Sequence, residues 1–121
     1  MNGPDNEYGN STSAGRALIV HPQLKTAADN VSRLPEAQLA EAEGLASAIG
    51  LEVVVAEVIV VNRPRPATLF GTGKVDELGI LIKAEEIEVA VLDTALSPIQ
   101  QRNLERAWNC KVIDRTGLIL E

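Results

Sequence analysis

Residues 88–113, EVAVLDTALSPIQQRNLERAWNCKVI, hold a strand, a capped helix and a second strand in immediate succession. Glu88 to Leu92 is a short apolar run closed by Asp93. Ser97-Pro98-Ile99-Gln100 follows with the residues of a capping box: Ser at the N-cap, Pro at N1, where the lost N–H has no helical partner anyway, and Gln at N3, able to reach back to the N-cap amide. Leu104, Ala107 and Trp108 make an inner helical stripe, and Lys111 to Ile113 is the next strand. Two strands joined through a helix run parallel, with a right-handed crossover.

The same alternation extends upstream. Val75, Leu78, Gly79 and Ile82 repeat at i, i+3, i+4 and i+7, predicting a helix from about Lys74 to Glu85 with Asp76 and Glu77 in its first turn and Lys83 in its last. Glu52 to Val61 (EVVVAEVIVV) is the most β-branched segment, and its length lets it extend beyond its neighbours. Leu34 to Ile49 is helical, with Leu39, Ala42, Leu45, Ala46 and Ile49 on one stripe, Pro35 in the first turn and Gly50 as the C-terminal cap. Arg16 to Val20 (RALIV) is apolar on both faces, as a doubly buried strand requires, and His21-Pro22 should end it. The expectation is an α/β fold: a four-stranded parallel sheet with helices on both faces. Its predicted strand order is 2-1-3-4, because the winding reverses between the first and third strands. Residues 1–15, rich in Gly, Asn and Ser, are expected to be a disordered tail, leaving residues 16–121 as the domain. After Asp114 the apolar RTGLILE runs on without turn signals, as expected of a piece of a longer protein.

Composition narrows the function. At 121 residues the chain has room for one ordinary domain. Aromatic residues are only 2%, so the stacking platforms of single-strand RNA binders are missing. With 11 Lys and Arg against 17 Asp and Glu, the net charge of -6 means that an anionic partner must be met by a local patch. Cys110 is the only cysteine, which excludes an internal disulfide and a Cys-cluster zinc site and fits a reducing cytoplasm. No stretch approaches the ~20 apolar residues of a membrane span.

Asn62 to Gly73 (NRPRPATLFGTG) is long for a connection between strand and helix, and long ordered loops are often functional. It carries Arg63, Arg65, Gly71 and Gly73, leads into Lys74 at a helix N-terminus, and contains no acidic residue. Gly73-Lys74 is not a P-loop: in that alignment Thr68 replaces the first glycine and Val75 replaces the magnesium-binding hydroxyl. His21, Asp93 and Asp114 should gather at the carboxyl edge of the sheet. No nucleophile or full ligand set accompanies them, and a strand-end Asp commonly bonds nearby amides or a neighbour such as Arg115. Arg102 and Arg106, four apart on one helix, repel each other unless an anion or the nearby Glu105 relieves them.

Three segments carry a family resemblance: Phe70-Gly71-Thr72-Gly73-Lys74-Val75 followed by Asp76-Glu77; Leu96-Ser97-Pro98 with Gln101-Arg102-Asn103-Leu104-Glu105; and Val112-Ile113-Asp114-Arg115-Thr116-Gly117-Leu118-Ile119-Leu120. In that order they resemble the N-terminal domain of the HflX-type ribosome-associated GTPases over residues 16–121. The resemblance implies a helical hairpin and a GTPase domain beyond this chain, with GTP and magnesium bound by the parent protein and no cofactor in this fragment. It implies a non-catalytic cytoplasmic module, with the large ribosomal subunit and its rRNA, and the protein's own GTPase domain, as partners. The expected ribosome contacts are Arg63, Arg65, Gly71, Gly73 and Lys74, with Arg102 and Arg106 secondary. Two other readings are an autonomous nucleotide-binding enzyme domain built on Lys74 and the sheet-edge Asp residues, and a regulatory module that packs on the GTPase domain.

Overall fold

The computed structural model describes residues 15–24 and 34–120. They form β1 (Gly15–Leu24), α1 (Pro35–Ala48), β2 (Leu51–Val61), α2 (Thr72–Ala84), β3 (Val89–Leu92), α3 (Pro98–Trp108), β4 (Lys111–Ile113) and α4 (Arg115–Leu120). The strands pair in parallel in the order β2-β1-β3-β4, as the alternation of elements implies. The expected tail over residues 1–14 lies outside the described residues, and Gly15, grouped with it, instead opens β1.

β1 holds the centre of the sheet. Successive side chains point to opposite faces, so Ala17 and Ile19 face one side and Leu18 and Val20 the other, all at 0% exposure. Leu18 and Val20 pack with Leu78, Ile82, Leu104 and Trp108 under α2 and α3. Ala17 and Ile19 pack with Ala42, Ala46 and Leu118 under α1 and α4. Helices therefore cover both faces, and each fully buried large aliphatic side chain contributes about 1.5–3 kcal/mol.

Several boundaries differ from expectation, each for a local reason. β1 does not stop at His21-Pro22 but runs on to Leu24, pairing Pro22 with Ile59 and Leu24 with Val61. β3 has ended by then, so this part of β1 has a single strand neighbour and tolerates a residue without an N–H. α2 begins at Thr72, two residues early, with the Val75 N–H donating to the Gly71 carbonyl at 3.0 Å. Asp76 and Glu77 thereby fall beyond the first turn, while Lys83 keeps its place in the last. In α1 the small Ala42 and Ala46 are buried and Leu45 sits on the flank, 40% exposed. Gly50 caps that helix as expected: its φ of 91° lies in the left-handed region, and its N–H donates to the Ser47 carbonyl.

In α3 both halves of the capping box form. The Gln100 N–H donates to Ser97 Oγ at 3.1 Å, and the Ser97 N–H donates to Gln100 Oε1 at 3.0 Å. Leu104 and Trp108 are buried as expected, whereas Ala107 is exposed. The apolar segment after Asp114 is helical: Asp114 Oδ1 accepts from the Gly117 N–H at 2.9 Å, the bond of an Asp N-cap.

Candidate functional site

β2 and α2 are joined by residues 62–71, whose backbone closes on itself. The Arg65 N–H donates to the Leu69 carbonyl at 3.0 Å, and the Leu69 N–H returns the bond to Arg65 at 2.8 Å, with Pro66-Ala67-Thr68 as the turn. Leu69 is held at φ 69°, unusual for a residue with a branched side chain. What holds it is burial below: Leu69 and Phe70 are only 4% and 1% exposed, and Thr68 Oγ1 donates to the Phe70 carbonyl. Arg63, Pro64, Arg65 and Pro66 stay on the surface.

α3 supports the turn from the side. Gln100 Nε2 donates to the Arg65 carbonyl at 2.8 Å, and Asn103 Nδ2 donates to the Ala67 carbonyl at 3.0 Å. These partners lie more than thirty positions away in the chain, and sequence reasoning missed them. The signal in the sequence is Gln100 at N3, where capping is half of its role: its amide oxygen caps while its nitrogen reaches the loop.

Of the expected contact residues, Arg63, Arg65, Gly71 and Lys74 line one cleft of about 340 Å³ with Ile59, Asn62 and Phe70. Gly73 lies outside it, exposed in the first turn of α2. Neither glycine has a left-handed backbone, and a Cβ at either would meet nothing closer than 3.6 Å, so close packing does not explain them. Lys74 is partly engaged, its Nζ 3.0 Å from Glu77 Oε1. Arg102 and Arg106 are exposed on α3 and do not line the cleft. At about 100° per residue, Arg106 lies ~60° and Arg102 ~100° around α3 from Asn103, on the side away from Gln100. Glu105 forms no ion pair with either arginine; its Oε2 accepts from the Val112 N–H at 3.2 Å. Arg63, Arg65, Arg102 and Arg106 form no ion pair with a described residue.

The features that suggested catalysis are occupied by structural bonds. Gly71 to Lys74 open α2, but the buried Val75 follows Lys74 where a P-loop has its magnesium-binding hydroxyl. At the carboxyl edge of the sheet, His21 Nδ1 lies 2.8 Å from Asp93 Oδ2, and Arg115 Nε donates to Asp93 Oδ1 at 3.0 Å. Arg115 Nη2 also donates to the Asp93 carbonyl. Asp114 spends its second oxygen on the Leu96 N–H. Among the described residues no cluster of His, Cys, Asp and Glu is arranged to hold a metal ion, and no helix is long and apolar enough to cross a membrane.

Known proteins resemble the chain in sequence. The chain is 48% identical over 107 residues to the GTPase HflX of Magnetococcus marinus, covering 88% of this chain and 24% of that protein. It is 47% identical over 85 residues to the GTPase HflX of Escherichia coli, covering 69% of this chain and 20% of that protein. A chloroplastic GTP-binding protein of Arabidopsis thaliana shares 44% identity over 64 residues, half of this chain and 10% of that protein. The chain thus spans about a quarter or less of the length of these relatives. A family model described as GTP-binding GTPase N-terminal matches residues 36–121, and the chain belongs to that family, as the N-terminal domain of an HflX-type GTPase.

Proposed function

We propose that this domain is the non-catalytic docking module of a ribosome-associated GTPase, meeting rRNA of the large subunit through the turn at residues 62–71, with Arg102 and Arg106 as a secondary contact. In this reading GTP, magnesium and the catalytic domain belong to the parent protein outside this chain, residues 16–121 are the functional unit, and the location is the cytoplasm. The observation that carries the reading is the state of the arginines. In a chain of net charge -6, four arginines on the turn and on the helix that supports it are left without ion pairs among the described residues. Phosphate is the partner such guanidinium groups take in forked geometry. Lys74 and Gly71 flank the same cleft, and Gly73 opens the adjoining helix turn.

The test is Arg63→Ala with Arg65→Ala in the full-length protein, measured by co-sedimentation with large ribosomal subunits across a salt series. Each lost phosphate contact should lower the slope of log K against log salt by about 0.7–0.9. Wild-type affinity with an unchanged slope refutes the reading and favours packing of this surface on the GTPase domain.

A further inference from the structure

We infer that Gln100 and Asn103 are positioning residues that hold the 62–71 turn in its docking conformation, so that α3 acts as a splint for Arg63 and Arg65; this rests on the docking reading above. The turn has a reason to need one. It contains a leucine at φ 69°, and residues 62–67 are all exposed. Its own ladder is the single Arg65–Leu69 bridge. Burial anchors Leu69 and Phe70 below, but the exposed tip above them has only this pair of backbone bonds to offset its ordering. Gln100 Nε2 adds a second donor to the Arg65 carbonyl, the atom that closes the bridge, and Asn103 Nδ2 fixes the carbonyl of Ala67 at its tip.

The same helix secures the third motif segment. Gln101 Nε2 donates to the Val112 carbonyl at 2.8 Å, and Glu105 accepts from the Val112 N–H. Polar side chains of α3 thus tie the turn at Arg65 and Ala67 on one side to Val112, at the start of the 112–120 segment, on the other. Gln100 and Asn103 face the turn, and Gln101 faces β4. Preorganising the turn reduces the ordering loss on docking, so removing the splint should weaken binding without touching a charge.

The experiment uses the full-length protein, large ribosomal subunits as the probe, and the neutral, near-isosteric variants Gln100→Met and Asn103→Leu, singly and together. The double variant should weaken binding about five- to thirtyfold, as the loss of two neutral hydrogen bonds that order a docking segment. It should also speed hydrogen exchange at the Leu69 amide. In the Arg63→Ala, Arg65→Ala background the same pair should add less than about twofold, since the groups being positioned are gone. Ser97→Ala breaks only the other half of the capping box, and should leave binding within about twofold of wild type.

Unchanged Leu69 exchange, or wild-type binding by the Gln100→Met, Asn103→Leu protein when the arginine variant binds poorly, overturns the splint alone. Full additivity in the arginine background overturns it in favour of general destabilisation. Unimpaired binding by the arginine variant overturns the docking reading, and this inference with it.

Discussion

Asp93→Leu is the sharpest probe of the charged cluster at the carboxyl edge of the sheet. The Asp93 side chain is 8% exposed and accepts from two residues, with Oδ2 facing His21 Nδ1 at 2.8 Å and Oδ1 facing Arg115 Nε at 3.0 Å. With the carboxylate ionised, the imidazole proton in that contact sits on Nδ1. Leucine fills the space and removes both acceptors. The His21 Nδ1–H is then buried without an acceptor among the described residues, at a cost of about 1–3 kcal/mol. The Arg115 side chain, 47% exposed, can turn to water, which adds only about 0–1 kcal/mol. The expected loss is about 1–4 kcal/mol. Asp93→Asn should cost less, about 1 kcal/mol, because the imidazole can change tautomer and accept from the new amide while the remaining oxygen still receives Arg115. Urea unfolding at neutral pH measures both. A leucine variant no less stable than the asparagine variant, or two variants within about 0.5 kcal/mol of wild type, would refute the reasoning.

Two glycines in helices should respond with different signs. A Cβ on Gly44 meets nothing within 4 Å, so Gly44→Ala should stabilise by about 0.5–1 kcal/mol in thermal or urea unfolding. A Cβ on Gly79 would lie 3.3 Å from Trp108 Cδ1, and that indole is buried and held by its Nε1–H to the Val75 carbonyl at 2.9 Å, so Gly79→Ala should bring no gain and a net loss of about 1 kcal/mol. Burial pushes the Cys110 thiol up to about 11, Glu105 adds to the rise, and a backbone bond at Ala90 opposes it. Alkylation at pH 8 should therefore run about a hundredfold slower than for a free cysteine. The sign for stability follows: the unfolded chain ionises first, so this group's contribution is intact below about pH 9 and declines as the pH rises towards 11.

What could be read from the sequence is what local chemistry specifies. The capping box at Ser97 and Gln100 involves four consecutive residues, and the burial of β1 on both faces follows from its own run of apolar side chains, so both are legible. The strand order followed because parallel strands with short helical crossovers have few arrangements. Pro22 misled because its meaning depends on whether a neighbouring strand is present, which is a property of β3 and not of β1. α4 was missed for lack of a long periodic pattern; its signal was Asp114 three residues ahead of Gly117. In the candidate site, charge and loop length exposed Arg63 and Arg65. The supports at Gln100 and Asn103 stayed hidden, since a side-chain amide bonding a backbone carbonyl across the fold leaves no periodicity to detect.

The central position of β1 has a consequence for how the chain is built. Ala17 pairs with Val53 on one side and with Val89 on the other, and neither neighbour is within reach of a tight turn. During synthesis β1 must wait for two long ring closures before both its edges are paired. A nascent chain that has not yet reached residue 89 exposes one edge of β1 along with the valine-rich β2, a template for pairing between chains. Refolding of the finished domain should fall in the range of roughly milliseconds to seconds, typical of non-local pairing, and stopped-flow fluorescence of Trp108 would time it.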